Sequence, residues 1–216
     1  MSKLRFQLPK LYAIVDAANF EDHKDRRRDL VEFARELAAA GVTLVQYRNK
    51  RGSTLEILSQ ARDLKRVIGT RVQLIMNDRA DLCLAAGFDG VHLGQDDISA
   101  WGARQVLGED KIIGFSTHNL EQAMAAEADV ADYIAIGPIF ATRSKTKPDP
   151  VVGLAGLKEV RKRVRKPLVA IGGISRSNCQ QVIAAGADSV AVIAELVDTS
   201  GESPRMRAEE LLSCLR

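Results

Sequence analysis

Eight short apolar runs, rich in β-branched residues, alternate with helical patterns along the whole chain. Each run is almost continuously apolar, which is typical of parallel strands covered on both faces. The runs occupy residues 11–15, 42–47, 72–76, 90–93, 111–115, 133–137, 167–172 and 189–194. A strand–helix unit repeated eight times in 216 residues predicts a single α/β domain over residues 1–216, folded as a closed (β/α)8, or TIM, barrel.

The segments between the runs agree with this prediction. In "RDLVEFARELAAAG" the apolar residues recur at helical spacing, and Gly41 is predicted to end that helix. Asn119 and Ser177 are predicted to cap two later helices. A doubly wound open sheet is the alternative, but such sheets usually have fewer strands, and no GxGxxG follows the first run.

Composition and charge exclude several classes of protein. A charged fraction of 27% and a net charge of +3 are ordinary for a globular protein and do not indicate nucleic-acid binding. No uncharged apolar run approaches the roughly 18 residues of a membrane span, and the first residues lack the apolar core of a signal peptide. The widely spaced Cys83, Cys179 and Cys214 fit reduced thiols. We therefore expect a cytoplasmic protein that binds neither nucleic acid nor membrane; a homodimer is compatible with the sequence.

Polar residues follow the predicted strands at their carboxyl ends, where TIM barrels place their active sites. After the second run, Gln46, Arg48 and Lys50 alternate, so their side chains should point the same way. The polar groups after later runs are Asn77, Asp78, Asp97, Ser116, Thr117, His118, Thr142, Ser144, Lys145 and Lys147. The pattern predicts one polar mouth at one end of the barrel.

Asp78 and Asp97 end neighbouring strands and admit more than one interpretation. Asp78 could cap the helix that follows it, Asp96 or Asp97 could cap the next one, and the adjacent Asp96 and Asp97 could also act as acid and base. Beside Arg48, Lys50 and Lys145, Asp78 and Asp97 also suit a hydrated Mg²⁺ and a polyphosphate, because Mg²⁺ takes one or two carboxylates completed by water and phosphate oxygens. The spacing favours Asp78 and Asp97 as Mg²⁺ ligands.

Other residues of the mouth are assigned more simply. Gly172-Gly173 after the seventh run indicates a phosphate site, since the loops after strands 7 and 8 of such barrels often bind phosphate through backbone N–H groups. The loop "GPIFATRSKTKPDP" is predicted to be a lid or phosphate clamp, with a solvated loop as the alternative. Asp96 is assigned to the start of the next helix or to support of Asp97. His92 is interpreted as a core residue and His118 as a possible ligand contact, because neither belongs to a recognisable triad.

The motifs "QYRNK", "NDR", "VHLGQDD", "GFSTH", "GPIFATRSK" and "AIGGI" resemble, in this order, the landmarks of the thiamine phosphate synthase family. The first strand, "LYAIVD", is similar to that family's opening, and the resemblance runs from about Leu11 to Leu196. It implies a (β/α)8 barrel and a Mg²⁺-dependent transferase. The expected substrates are 4-amino-5-hydroxymethyl-2-methylpyrimidine diphosphate and 4-methyl-5-(2-phosphoethyl)thiazole, with the carboxylated thiazole as an alternative; the expected products are thiamine phosphate and diphosphate.

The same resemblance implies roles for individual residues. The pyrimidine diphosphate would be bound by Gln46, Arg48, Lys50, Asn77, Ser116 and Lys145. Among these, Arg48, Lys50, Ser116 and Lys145 would be catalytic, because the charge of the departing diphosphate must be neutralised. The thiazole phosphate would be bound by Thr142, Ser144, Gly173, Ile193 and Ala194. Mg²⁺ would be held by Asp78 and Asp97.

One segment departs from the family pattern. Where the family often has a serine-containing segment after strand 8, this chain has "VIAELV", so Ala194 lacks a hydroxyl and Glu195 adds a negative charge. Backbone contacts to a phosphate are expected only if Glu195 points away from it. Two alternatives stay open: a thiazole tautomerase-like barrel, a group that tends to lack the paired metal aspartates, and a non-catalytic ligand-binding barrel.

Overall fold

Eight parallel strands form a closed barrel in the computed structural model, which describes residues 6–142, 149–197 and 201–216. Each strand pairs with the next along the chain, and β8 closes the barrel onto β1. The strands are β1 (Leu11–Asp16), β2 (Leu44–Arg48), β3 (Gln73–Asn77), β4 (Gly90–Leu93), β5 (Ile112–Thr117), β6 (Tyr133–Ile136), β7 (Leu168–Ile171) and β8 (Ser189–Val192). The predicted (β/α)8 barrel is confirmed.

An α-helix follows each strand and covers the outside of the barrel. The helices are α1 (Arg26–Ala39), α2 (Thr54–Ile68), α3 (Ala80–Ala86), α4 (Ala100–Leu107), α5 (Leu120–Ala128), α6 (Gly153–Arg163), α7 (Cys179–Ala184) and α8 (Pro204–Cys214). Short 3-10 helices follow β1 at Ala17–Phe20 and β8 at Ala194–Leu196. Among the described residues, none of the helices has the length and apolar character to span a membrane. The three cysteines are free thiols.

Both faces of the sheet are buried, which explains why the strand sequences are continuously apolar. In β1, Ala13 and Val15 pack outward against the helices, whereas Tyr12 and Ile14 point into the barrel. The inner layer consists of Tyr12, Ile14, Leu44, Ile75, Ile112, Tyr133, Ala135, Val169 and Ala191. Burial of each large apolar side chain contributes about 2 kcal/mol, so the two layers fix which strand residues face the interior.

The strands differ from their predicted lengths in a consistent way. β1, β2, β3 and β5 extend one or two residues further than predicted, so Asp16, Arg48, Asn77 and Ser116 lie on strands and not in loops. β6, β7 and β8 end one or two residues earlier than predicted and are four residues long. The mouth is therefore built from strand side chains on one side and from loop backbone on the other.

Several predicted helix ends are correct and one is wrong. The Asn119 side chain accepts the backbone N–H of Gln122 and caps α5, as predicted. Gly41 follows α1 with φ of 94°, a left-handed conformation that suits glycine. Ser177 does not occupy the N-cap of α7, because Asn178 stands at that position.

The capping interpretation of the aspartates is also wrong. The N-cap of α4 is Ser99, whose hydroxyl accepts the N–H of Gly102 at 3.0 Å. Asp97 instead accepts the N–H of Gly94 at 2.7 Å, within the loop, and Asp96 is exposed four residues before α4 begins. Asp78 precedes Arg79, the N-cap position of α3, and so does not cap that helix. The placement of these carboxylates therefore needs another explanation.

Candidate active site

The side chains at the end of β2 face the barrel mouth in the predicted alternation. Gln46 points into the barrel, where its Nε2 donates to the Tyr12 hydroxyl at 2.8 Å. The next residue, Tyr47, points outward, and its hydroxyl donates a hydrogen bond to Gln60 of α2. Arg48 returns to the inner side and pairs with Asp16. The expectation that Gln46 and Arg48 share one face is confirmed.

Asp16 was not predicted as part of the site, although it holds one of the expected catalytic cations. It is the last residue of β1, lies in register with Arg48 and is 5% exposed. One carboxylate oxygen accepts the N–H of Ala18 at 3.1 Å, and the other binds the Arg48 guanidinium. The sequence signal was available, because Asp16 is a charged residue directly after the five-residue apolar run 11–15.

Lys50, Asp78 and Asp97 form a second cluster at the ends of β2, β3 and β4. Lys50 Nζ lies 3.2 Å from Asp78 Oδ2. The backbone of Asp78 has φ of 62°, in the left-handed region, and its N–H donates to the carbonyl of His92 at 2.8 Å. This conformation is uncommon for a residue other than glycine and is tolerated by aspartate more than by most. The structure brings together the two aspartates that the sequence paired.

The surroundings of Asp78 disfavour the ionised form of its carboxyl group. The pKa of Asp78 is raised above its ordinary value of 3.8, chiefly because burial disfavours the charged form. Lys50 opposes this shift, whereas the charge of Asp97 and a hydrogen bond to its carboxyl group reinforce it. Two carboxyl groups held against each other are a site at which a cation relieves repulsion.

The donor set fits a magnesium ion. Hard divalent cations prefer carboxylate oxygens, and Mg²⁺ usually completes its shell with water and substrate phosphate. The described residues contain no group of three or more His, Cys, Asp or Glu side chains arranged to hold a metal ion. A pair of carboxylates with open solvent and nearby cations therefore suits Mg²⁺ shared with a phosphate more than it suits a metal enclosed by protein.

Ser116 stands on β5 at the end of a buried hydrogen-bonded chain. Its Oγ lies 2.8 Å from Nε2 of His92, and Nδ1 of His92 lies 2.9 Å from the Tyr133 hydroxyl. The Tyr133 hydroxyl lies 2.9 Å from that of Tyr12, which Gln46 also contacts. Five polar side chains thus cross the barrel just below its mouth and join two residues that were predicted to bind substrate.

The remaining predicted residues lie around the same mouth or outside the described part of the chain. Asn77 ends β3, in register with His92, and alternation places its side chain inward. His118 Nδ1 contacts the carbonyl of Gly137 at 2.7 Å and lies 3.6 Å from Asp149. Thr142 is half-buried at the last described position of its loop. Ser144, Lys145 and Lys147, together with the rest of residues 143–148 of the predicted lid or clamp, lie outside the described residues.

Gly172 and Gly173 bring the loop after β7 against the loop after β6. A Cβ on Gly172 would lie 2.6 Å from Pro138, and one on Gly173 would lie 2.6 Å from the carbonyl oxygen of Ala141. The N–H of Phe140 donates to the carbonyl of Gly172 at 3.0 Å, and both glycines have positive φ. Close backbone packing therefore requires glycine here whether or not a phosphate binds.

Glu195, the departure from the family pattern, forms an ion pair with Arg176. One of its carboxylate oxygens accepts both the backbone N–H of Arg176, at 3.2 Å, and the Arg176 Nε–H, at 2.9 Å. Arg176 also pairs with Glu202 and Glu210. Ile193 and the exposed Ala194 precede Glu195 at the end of β8. Glu195 is thus tied to Arg176, which it shares with two other glutamates, and is held by these bonds beside the predicted phosphate site.

The chain is similar to known proteins over nearly all of its 216 residues. A family model described as thiamine monophosphate synthase matches residues 11–196. A thiamine-phosphate synthase from Koribacter versatilis is 59% identical over 209 residues, which cover 97% of each chain. One from Chloroflexus aurantiacus is 42% identical over 205 residues, covering 92% of this chain and 91% of the relative.

Solved structures agree with the sequence relatives. The thiamine phosphate pyrophosphorylase from Pyrococcus furiosus superposes with a TM-score of 0.81 and 34% identity, and the match covers 95% of both chains. The similarity therefore extends over nearly the whole barrel and includes the strand ends that form the mouth.

Proposed function

Because the chain belongs to the thiamine monophosphate synthase family of transferases, we propose that it joins 4-amino-5-hydroxymethyl-2-methylpyrimidine diphosphate to 4-methyl-5-(2-phosphoethyl)thiazole. The observation that carries this proposal is the pair Asp78 and Asp97, which face each other beside Lys50. Carboxylates and cations together at one mouth suit a diphosphate substrate that arrives with a divalent cation.

The reaction asks for charge neutralisation more than for proton transfer. The bond between the pyrimidine methylene carbon and the diphosphate oxygen breaks, and its electron pair leaves with the diphosphate. The aminopyrimidine ring stabilises the resulting cation, and the lone pair of the thiazole nitrogen forms the new C–N bond. That nitrogen carries no proton, so no general base is required. The site would act by positioning two substrates and by stabilising the departing charge.

Asp78 and Asp97 would hold Mg²⁺. Bound there, the ion would supply positive charge to the leaving diphosphate. The hydrogen bond between the Asp78 and Asp97 carboxyl groups supports this assignment, because it keeps two acidic groups close together in a partly buried position, where burial and the neighbouring carboxyl raise the pKa of Asp78.

Arg48 and Lys50 would bind the diphosphate oxygens, but before substrate binds they are paired with different carboxylates. Arg48 is fixed by Asp16 on the rigid end of β1, so its guanidinium is held in place before substrate arrives. Lys50 is paired with Asp78 and is half exposed. An Asp78 carboxylate that held Mg²⁺ would leave Lys50 free to pair with the diphosphate, so metal binding and phosphate binding would support each other.

Gln46, Asn77 and Ser116 would bind the pyrimidine half of the substrate. All three lie at the inward-facing ends of β2, β3 and β5, which gives them fixed positions relative to Arg48. Gln46 offers an amide edge that matches a ring nitrogen and an exocyclic amino group.

The thiazole phosphate would bind on the opposite side of the mouth, at Gly173, Ile193, Ala194 and Thr142. Backbone N–H groups are the expected donors, because Ala194 has no hydroxyl and Glu195 is tied to Arg176. Ser144 and Lys145 are assigned to phosphate and diphosphate binding by resemblance to the family. The proposal includes a cytoplasmic location, and it leaves the carboxylated thiazole as a second substrate to assay.

The experiment that tests this function is a coupling assay with both substrates, with and without Mg²⁺, in which thiamine phosphate and diphosphate are both quantified. The proposal predicts equal amounts of the two products, a requirement for Mg²⁺ and a requirement for the thiazole phosphate. Isomerisation of the thiazole without release of diphosphate would indicate a tautomerase-like barrel. Binding of both ligands with no product would indicate a non-catalytic barrel.

A further inference from the structure

The buried chain from Gln46 to Ser116 connects residues that are distant in sequence. It passes through Tyr12, Tyr133 and His92, on β1, β6 and β4, with separations of 2.8, 2.9, 2.9 and 2.8 Å along its four links. The family assignment makes use of its two ends alone. The three residues between them were given no role in binding substrate, yet they lie buried inside the barrel.

The rings of the chain are held firmly by packing. The imidazole of His92 stacks on Tyr133, with centroids 5.6 Å apart and an interplanar angle of 18°. Tyr12 meets Tyr133 edge-on, at 5.9 Å and 84°. Gly114 provides the space, because a Cβ at that position would lie 2.0 Å from the Tyr133 ring. The hydroxyl and imidazole atoms therefore have little freedom to choose other partners.

The hydrogens of the chain can be assigned by following them from Gln46. Its Nε2–H donates to Tyr12, so the Tyr12 hydroxyl hydrogen is directed to Tyr133, and that of Tyr133 is directed to Nδ1 of His92. A neutral imidazole that accepts at Nδ1 carries its hydrogen on Nε2. Nε2–H then donates to Ser116 Oγ.

The opposite direction leaves a conflict. With the hydrogen on Nδ1 of His92, each tyrosine hydroxyl would donate toward Gln46, and the Tyr12 hydrogen would face the Gln46 N–H. Two donors facing each other in a buried site leave a hydrogen bond unmade, which is costly. Burial also raises the pKa of both tyrosines, so the two hydroxyl groups keep their hydrogens.

We propose, on the premise of the function proposed above, that His92 is a positioning residue whose tautomer is set by Tyr133, Tyr12 and Gln46. Its Nε2–H donates to Ser116 Oγ, so the Ser116 hydroxyl hydrogen cannot be donated to His92 and is directed into the mouth. Ser116 is thus a committed hydrogen-bond donor, suited to an anionic or ring acceptor atom of the pyrimidine diphosphate. At the other end Gln46 retains its carbonyl oxygen and second N–H for the ring.

The tautomer can be measured directly in the wild-type protein. The chain has three histidines, His23, His92 and His118, so ¹⁵N-histidine labelling gives three imidazole spin systems. Loss of one set in His92→Gln assigns the signals. The proposal predicts that His92 is protonated on Nε2 alone. A hydrogen on Nδ1, or on both nitrogens, would overturn it, and this result does not depend on any catalytic assay.

Tyr133→Phe and Tyr47→Phe are matched variants. Both remove one buried hydroxyl from a tyrosine that is 0% exposed, but the Tyr47 hydroxyl bonds to Gln60 outside the barrel. Tyr133→Phe should shift the ¹⁵N signals of His92 away from a single Nε2–H form, whereas Tyr47→Phe should leave them unchanged. Equal spectra for the two variants would contradict the proposed role of Tyr133.

Kinetic coupling separates positioning from mere packing. Ser116→Ala is expected to lower kcat by about 100-fold, and Tyr133→Phe by about tenfold with little change in KM. The double variant should be no slower than Ser116→Ala within about twofold, because Tyr133 acts through Ser116. If the loss of kcat in the double variant equals the product of the two single losses, the proposal is overturned. If Tyr133→Phe does not fold, Tyr12→Phe is tested in its place. An inactive wild-type protein with the Nε2–H tautomer would instead reject the proposed function and leave the tautomer assignment intact.

Discussion

The two sides of the barrel mouth are built in different ways. Around β1 to β5, strand ends present charged and polar side chains that already bind one another: Arg48 with Asp16, Lys50 with Asp78, and Ser116 with His92. Around β6 to β8 the strands are four residues long and give way to glycines and loop backbone.

This difference matches the two ligands of the proposed reaction. A diphosphate with Mg²⁺ carries concentrated charge and is best bound by side chains of both signs, whose internal pairs are exchanged for contacts to the ligand. A single phosphate is well served by backbone N–H groups that glycine allows to approach closely. The comparison predicts that substitutions on the two sides affect different substrates.

The largest effect is expected from Asp97→Ala. Loss of one of two Mg²⁺ ligands should lower kcat by about 1,000-fold, because the departing diphosphate loses its main charge stabilisation. Steady-state assays at saturating Mg²⁺ would measure the loss, and circular dichroism would show whether the barrel still folds. Asp96→Ala, which removes the exposed neighbouring carboxylate, is the control and should stay within about twofold of wild type. Normal turnover with a lowered melting temperature would mean that Asp97 serves only to hold the N–H of Gly94.

A smaller effect is expected from Asp16→Asn, which tests whether Arg48 must be held in place. The asparagine keeps a hydrogen bond to the guanidinium but loses the charge, so kcat/KM for the pyrimidine diphosphate should fall about tenfold. The KM for the thiazole phosphate should be unchanged.

Glu21→Gln is the matched control for Asp16→Asn, because it breaks the pair between Glu21 and an Arg51 side chain that is 76% exposed. Surface pairs of this kind contribute little, so activity should match wild type. If Asp16→Asn behaves like Glu21→Gln, the buried pair is not part of the diphosphate site.

Gly173→Ala tests the other side of the mouth. Its φ of 65° and the close approach to Ala141 should together lower the free energy of unfolding by about 3 kcal/mol and raise the KM for the thiazole phosphate several-fold. Gly87→Ala is the control, because Gly87 has φ of 67° but meets only the flexible Lys65 side chain, so about 1 kcal/mol is expected and no change in KM. A larger change in KM for the pyrimidine diphosphate than for the thiazole phosphate would break the comparison between the two sides.

The smallest effect concerns pH. The folded protein binds a proton at Asp78 more tightly than the unfolded chain does, because the pKa of this carboxyl is raised above 3.8. The free energy of unfolding should therefore fall as pH rises from about 3.8 through the folded-state pKa, and then level off. Asp97→Asn removes the neighbouring charge and should flatten this fall, as should saturating Mg²⁺. Urea titrations across this pH range, without metal and with it, would measure the change, and an identical slope in wild type and Asp97→Asn would contradict it.

The sequence predicted which side chains face the barrel mouth better than it predicted which residues they contact. Alternation along β2 correctly placed Gln46 and Arg48 on one face, because a strand has a period of two residues. Asp16 and the central residues Tyr12 and Tyr133 were not assigned to the site, since a contact between residues 121 positions apart leaves no local pattern. The helix caps failed where two candidates compete within a few residues: Ser99 caps α4, and Asp97 binds Gly94. The left-handed backbone of Asp78 was likewise not visible in the sequence.

Calorimetric titration with inorganic diphosphate, with and without Mg²⁺, tests the central claim most directly: that the side of the mouth around β2 to β4 is a joint site for Mg²⁺ and diphosphate. The account predicts that Mg²⁺ strengthens diphosphate binding at least tenfold in wild type and in Gly173→Ala, and that this gain disappears in Asp97→Ala. Equal affinity with and without Mg²⁺ in the wild-type protein, or loss of the gain in Gly173→Ala with its retention in Asp97→Ala, would contradict it.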